Sequence, residues 1–195
     1  MPASTFKLAA VSDQTTTQIK QLLATPDLPA LGPETRPGVL AEATLNAKLD
    51  LVFRNNRFTS HRQQLIRALL LLWHDHLDAS HAISQDIETP DGSFVHAIMH
   101  RREPDYWNAK YWWRRVGLHR TFPEIGLRIT ESLSARGAED LLAQLLPDGG
   151  WHPEIFVDLC EQAARSPRNS DLLREVQRIE TEVLLEQFLS GDPSK

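Results

Sequence analysis

Histidine and tryptophan are concentrated in the middle of this 195-residue chain. Seven of the eight histidines and four of the five tryptophans lie between residues 61 and 119. Among them, His96 and His100 are four residues apart, a spacing that places two imidazoles on one face of a helix, as in zinc-binding helices. A glutamate does not follow His96 as in the H-E-x-x-H motif, so this pair indicates either a metal site or two hydrogen-bonded structural histidines.

The segment 61–87 predicts one long central helix, because it lacks proline and glycine and its leucines recur with a helical period. Its polar residues fall on one face, opposite the leucines. That polar face consists of His74, Asp78, His81 and Gln85. A solvated surface and the wall of an internal pocket both account for it, and the many apolar residues in the first half of the helix favour the pocket.

A predicted turn at residues 89–92 follows this helix, so the next helix is expected to run back antiparallel to it. His81 then lies level with residues near 99 and approaches His96 and His100. We interpret His81 and His100 as catalytic acid/base groups or as metal ligands. The hypothesis of a divalent metal site draws its ligands from both helices: His74, Asp78, His81, His96 and His100.

The block 100–115 is a second group of candidates, because it is dense in arginine and aromatic residues. Arginine binds carboxylate or phosphate with two N–H groups, and a helix beginning after Asp105 adds backbone donors, so the block predicts a site for an anionic small molecule. Together with Gln85 and His96, the predicted ligand-binding residues are Arg101, Arg102, Asn108, Trp112 and Arg115. Alternatively, the aromatic side chains fill the core and the arginines pair with the chain's acids.

The same block supports a functional hypothesis of another class. Tryptophan, tyrosine and arginine dominate the energetic centres of protein interfaces. The chain is therefore interpreted either as an acid/base or metal-assisted enzyme, or as a non-catalytic helical scaffold or regulatory protein that docks a partner through this block. Association into a homo-oligomer is left open.

Part of this region resembles a family of bacterial and fungal proteins. The resemblance rests on three runs that cover about a quarter of the chain: Trp73-His74-Asp75-His76-Leu77-Asp78, His100-Arg101-Arg102-Glu103 and Asn108-Ala109-Lys110-Tyr111-Trp112. That family has no assigned activity. The resemblance therefore implies shared residues and no particular catalytic role.

The elements that must position these residues are predicted to be helices throughout. Four prolines between residues 26 and 37 interrupt the pattern, so residues 1–60 are expected to form an arm or wrap. The chain is thus predicted to be a single all-α domain over residues 1–195, a multi-helix bundle with 61–117 carrying the candidate site. Besides the central helix, the predicted helices are Thr15–Ala24, Gly38–Phe53, Phe94–Arg102, 106–116, Pro123–Arg136, Ala138–Leu146, Pro153–Arg165 and Asp171–Leu189.

Composition restricts the class of protein further. A net charge of -5 and a pI of about 5.9 disfavour nucleic acid as a partner. Cys160 is the only cysteine, which fits a reducing compartment, and residues 1–12 show no secretory signal, so we expect a cytoplasmic location. The longest apolar run, Ala68–Trp73, is too short to cross a membrane. Neither a glycine-rich phosphate loop, a G-x-S-x-G elbow nor a Cys-x-x-Cys pair occurs.

Overall fold

A computed structural model describes residues 13–56 and 58–190, and residues 1–12, where a secretory signal was not expected, lie outside them. Over the described residues the chain forms ten α-helices and no strand, which confirms the predicted all-α fold. None of these helices is long and apolar enough to cross a membrane. In chain order the helices are α1 Asp13–Lys20, α2 Glu42–Arg54, α3 Ser60–Trp73, α4 Leu77–Ser84, α5 Pro90–Arg102, α6 Tyr106–Val116, α7 Phe122–Ser134, α8 Glu139–Leu145, α9 Pro153–Arg165 and α10 Ser170–Leu189.

Side-chain caps determine where two of the helices around the site begin. The carboxylate of Asp105 accepts a hydrogen bond from the backbone N–H of Asn108 at 3.2 Å, which confirms the predicted start of α6. The hydroxyl of Thr89 accepts from the N–H of Gly92 at 3.1 Å, and Pro90 occupies the first position of α5. Residues 89–92, predicted to be a turn, are therefore the first turn of α5.

The prediction of one continuous helix over 61–87 is wrong. Helix α3 ends at Trp73 and α4 begins at Leu77, and between them Asp75 has a φ of 67°, in the left-handed region. Helix α4 packs against α3, and the Ser80 hydroxyl donates to the carbonyl oxygen of Ala68 at 2.8 Å. The long segment is thus two helices folded onto each other, and the polar face predicted from a single helical period does not exist as one surface.

Helix α5 occupies the centre of the fold. Every residue from Gly92 to Arg102 is buried, and α5 contacts α3, α4 and α6. Such a helix is surrounded by other elements and has no solvated face. Its two histidines and two arginines are therefore interior groups that need partners within the protein.

The proline-containing segment between α1 and α2 lies against these helices. The side-chain amide of Gln177 donates to the carbonyl oxygen of Ala30 at 3.1 Å, and Arg102 Nε donates to that of Gly32 at 3.3 Å. Proline excludes a helix here, so the backbone carbonyls remain available to side chains from α5 and α10. The segment therefore packs against the end of α5 and the middle of α10.

Candidate metal centre

Three imidazoles meet where α4 packs against α5. One ring nitrogen from each of His81, His96 and His100 lies within 4.8 Å of the other two. The Nε2 atoms of His96 and His100 are 2.9 Å apart, and the ring centre of His81 lies 4.8 Å from that of His96 and 5.3 Å from that of His100. The predicted approach of His81 to this pair is therefore confirmed.

The local sequence explains how these side chains converge. His96 and His100 lie one helical turn apart on α5, so their rings stack with an interplanar angle of 17°. His81 comes from α4, which packs against α5 after the short connection that ends at Thr89. His96 and His100 are buried, whereas His81 is only partly buried and lies on the solvent side of the cluster.

Polar side chains surround the Nδ1 and Nε2 atoms of His100. The carboxylate of Glu103 lies 3.2 Å from Nδ1, and a carboxylate at this position favours the tautomer with the proton on Nδ1. Nε2 then carries the lone pair, and the amide nitrogen of Asn108 lies 3.1 Å from it. The Asn108 amide donates towards this lone pair, and His96 Nε2 lies 2.9 Å from the same atom, so a metal bound at Nε2 would replace these contacts.

Burial keeps the imidazoles on α5 neutral. It is the main cause that lowers the pKa of His96 to about 3, with the nearby rings of His100 and His81 as further causes. Burial also lowers the pKa of His100, and this effect outweighs the opposing attraction of Glu103. Both rings are consequently unprotonated near neutral pH, the form in which histidine binds a metal.

Aromatic residues of α6 form the other side of the cluster. The ring of Trp112 stacks on His96 with centres 4.0 Å apart and an interplanar angle of 20°. The guanidinium of Arg115 lies 5.1 Å from the Trp112 ring centre, and Arg115 is exposed. Asn108 and Trp112, both predicted from the sequence to bind a ligand, therefore border the three-histidine cluster, and Arg115, predicted with them, lies next to Trp112.

Three other predicted residues do not join this cluster. Both ring nitrogens of His74 are used by the backbone: Nδ1 accepts from Leu40 N at 3.1 Å, and Nε2 lies 2.8 Å from the carbonyl oxygen of Leu22. Asp78 is exposed on α4 and lies outside the group of convergent ligand atoms. Gln85 is exposed at the end of α4. The break at Asp75 explains the correction for His74, because the face that it was predicted to share with His81 required an unbroken helix. Asp78 and Gln85 follow the break, as His81 does, but their side chains are exposed.

Arg101 and Arg102 are structural ion-pair partners, so the prediction that they bind a ligand is corrected. Arg101 is fully buried and donates to both carboxylate oxygens of Glu180, at 3.2 and 2.6 Å. Arg102 is also buried and donates to Asp75 at 2.8 Å. Internal carboxylates thus pair with both guanidinium groups, which is the alternative that the sequence had left open.

Glu103 is the residue near the cluster that sequence reasoning missed. Its position three residues after His100 places the two side chains on neighbouring positions of one helix end, and this spacing is a signal that the sequence contains. Carboxylates that bind the second nitrogen of a histidine orient the ring towards a metal. In comparisons with known proteins, neither a family model, a curated protein nor a solved structure matches the chain. The geometry of the cluster therefore carries the functional argument.

Proposed function

We propose that this protein is a metal-dependent enzyme that binds one divalent transition-metal ion through His81, His96 and His100. The convergence of three imidazole nitrogens within 4.8 Å is the observation that carries the proposal. Three protein ligands with a further open position are typical of catalytic zinc sites, whereas structural zinc sites use four protein ligands. In this role His81 and His100 act as metal ligands, one of the two roles that the sequence left open for them.

The separation of the ligand atoms supports this assignment. Two nitrogens on a tetrahedral ion at about 2.0–2.1 Å are separated by about 3.3 Å. The Nε2 atoms of His96 and His100 are already 2.9 Å apart, so a small movement of either side chain is enough. Imidazole ligands suit zinc, copper, iron and nickel, and the absence of thiolates from the cluster disfavours sites that require sulfur.

The partly buried His81 indicates where a small molecule enters. A metal ion with an open position lowers the pKa of bound water and polarises a substrate oxygen, which supports hydrolysis or hydration. Asn108 lies beside the lone pair of His100, so its amide is positioned to hydrogen-bond a fourth ligand once that lone pair is engaged. Trp112 limits access from the α6 side by stacking on His96.

The decisive experiment measures zinc binding to the metal-free protein by calorimetry and by thermal unfolding. We expect one ion per chain and a gain in the free energy of unfolding of about 2.7 kcal/mol at a hundredfold excess over the Kd. Single substitutions of His81, His96 or His100 by Ala should remove this gain. Glu103→Gln should weaken zinc binding by roughly 10–100-fold, because it removes the carboxylate that orients His100.

His61→Ala provides the matched control, because His61 is an exposed histidine outside the cluster. This variant should retain the affinity of the wild-type protein for zinc. Zinc binding that survives each of the three cluster substitutions would refute the proposal. The zinc-loaded wild-type protein would then be assayed for hydrolysis of small esters and phosphate esters, with the His96→Ala variant as the inactive comparison.

We also propose a cytoplasmic location. Cys160 is the only cysteine of the chain, and its side chain is buried. Burial raises the pKa of its thiol to about 12, so the group stays a neutral thiol without a cysteine partner. This use of cysteine fits a reducing compartment.

A second candidate function, association of two copies of this chain, is favoured by one observation. Trp107 and Tyr111 stack on the surface of α6, with 75% and 40% of their area exposed. Aromatic side chains of this kind are common centres of protein interfaces. Sedimentation velocity of the wild-type protein should then show a dimer that the Trp107→Ala/Tyr111→Ala variant loses. A wild-type protein that stays monomeric at every concentration would exclude this candidate.

A further inference from the structure

Arg115 differs from the other arginines of the block 100–115. Arg101 and Arg102 have buried carboxylate partners, and Arg114 lies 3.7 Å from Glu154. Within the described part of the chain, Arg115 forms no salt bridge, although the protein has an excess of acidic residues. Its guanidinium is therefore available to an anion that does not belong to this chain.

Two aromatic rings of α6 lie next to this guanidinium. Its central carbon lies 5.1 Å from the ring centre of Trp112 and 6.0 Å from that of Tyr111. Contact with aromatic faces leaves the N–H groups at the edge of the guanidinium free, and these groups match carboxylate or phosphate in pairs. A side chain positioned in this way loses less conformational freedom on binding an anion than a fully mobile arginine does.

Trp112 connects Arg115 to the three-histidine cluster. One neighbour of the Trp112 ring is His96, with centres 4.0 Å apart, and another is the Arg115 guanidinium, 5.1 Å away. The distance from the guanidinium to the His96 ring centre cannot exceed the sum of these two separations. The guanidinium is therefore no more than about 9 Å from the His96 ring centre, a span that one small molecule passing the edge of Trp112 can bridge.

The charged groups near His100 and near Trp112 have opposite signs. Two carboxylates lie near His100, Glu103 at 3.2 Å and Asp105 at 3.9 Å from Nδ1, where they favour a bound cation. On the Trp112 side, the charged group is the guanidinium of Arg115. A substrate with an electrophilic centre at the metal and a negative group towards Trp112 fits both signs of charge.

From these contacts we infer that the substrate of the metal site carries a carboxylate or phosphate group, and that Arg115 binds this group. The inference rests on the proposed metal-dependent function and adds the chemical class of its substrate. Replacing Arg115 should therefore change the affinity of the protein for anions but not its affinity for metal, because Arg115 is not among the convergent ligands.

The test uses the full chain loaded with Co²⁺, whose visible absorption responds to its ligands. Inorganic phosphate and malonate are titrated separately into the wild-type protein and into the Arg115→Gln and Arg114→Gln variants. We expect Arg115→Gln to weaken binding of at least one anion about tenfold or more, as the loss of a charged hydrogen bond predicts. Arg114→Gln, an exposed neighbour, should behave as the wild type, and all three proteins should bind Co²⁺ equally.

The possible results separate this inference from the proposed function. If Co²⁺ does not bind, the metal-dependent function and the inference both fail. If Co²⁺ binds but each anion binds the wild type and Arg115→Gln equally, or does not bind, the inference alone is overturned. An effect confined to phosphate or to malonate supports the inference and identifies which anionic group the substrate carries.

Discussion

At the scale of single residues, His96 has an unusual environment because its ring is buried and its Nδ1 atom has no hydrogen-bond partner within the described residues. Burial is the main cause that lowers its pKa from 6.5 to about 3. In the unfolded chain the same imidazole takes up a proton near pH 6.5. Between these two values the folded state binds fewer protons than the unfolded state, so stability decreases as the pH falls from 6.5 towards 3.

We therefore expect the free energy of unfolding of the metal-free wild-type protein to fall more steeply between about pH 6 and about pH 4 than that of His96→Gln. When only the unfolded chain takes up this proton, the free energy of unfolding changes by about 1.4 kcal/mol per pH unit. Urea unfolding at a series of pH values measures both slopes. His61→Gln, which replaces an exposed histidine, should keep the slope of the wild type. Equal slopes for the wild type and His96→Gln would show that the ring is already protonated in the folded protein.

At the scale of elements, the break between α3 and α4 depends on Asp75. Its carboxylate is fully buried and accepts from Arg36 Nε and from Arg102, each at 2.8 Å. Burial alone would raise the pKa of Asp75, but the hydrogen bonds from the two arginines outweigh this effect and lower it. The charged carboxylate, which lies at the break, thus binds the proline-containing segment through Arg36 and α5 through Arg102.

Asp75→Asn should destabilise the fold strongly, because it leaves two arginines buried without their counter-charge. The expected loss is about 3–5 kcal/mol of unfolding free energy. Asp50→Asn serves as the control, since Asp50 is half exposed and its pair with Arg67 should contribute no more than about 1 kcal/mol. Both values come from urea unfolding at neutral pH. A loss for Asp75→Asn as small as that of the control would mean that the break is stabilised by packing alone.

At the scale of the whole molecule, Arg101 and Glu180 join α5 to α10. The two residues are 79 positions apart, and both side chains are fully buried. Burying an ion pair removes both charged groups from water, which costs free energy. Removing one partner leaves the other charge buried alone, so it is far more damaging than replacing both by apolar residues. The pair therefore contributes more to the correct docking of α10 than to net stability.

Glu180→Gln is expected to lower the free energy of unfolding by about 3–5 kcal/mol. The double variant Arg101→Met/Glu180→Leu should recover most of this loss, because neither charge then remains buried alone. Circular dichroism during thermal and urea unfolding measures both effects. A double variant as unstable as the single one would indicate that the ion pair itself stabilises the fold.

The sequence alone determined the features that depend on contacts within a few residues. The start of α6 follows from the cap at Asp105, and the start of α9 follows from Pro153 at its first turn. The shared face of His96 and His100 follows from their spacing of four. These interactions are local, so they need no information about the rest of the fold.

Only the tertiary structure decided which charged residues are structural and which remain available. The partner of Arg102 lies 27 residues away and that of Arg101 lies 79 away, and no local pattern specifies such pairs. Arg36 and Arg102 bind the carboxylate of Asp75, whose left-handed conformation divides the predicted central helix and separates His74 from His81. His81 joins the pair on α5 because α4 and α5 pack together, and that packing depends on the hydrophobic core as a whole.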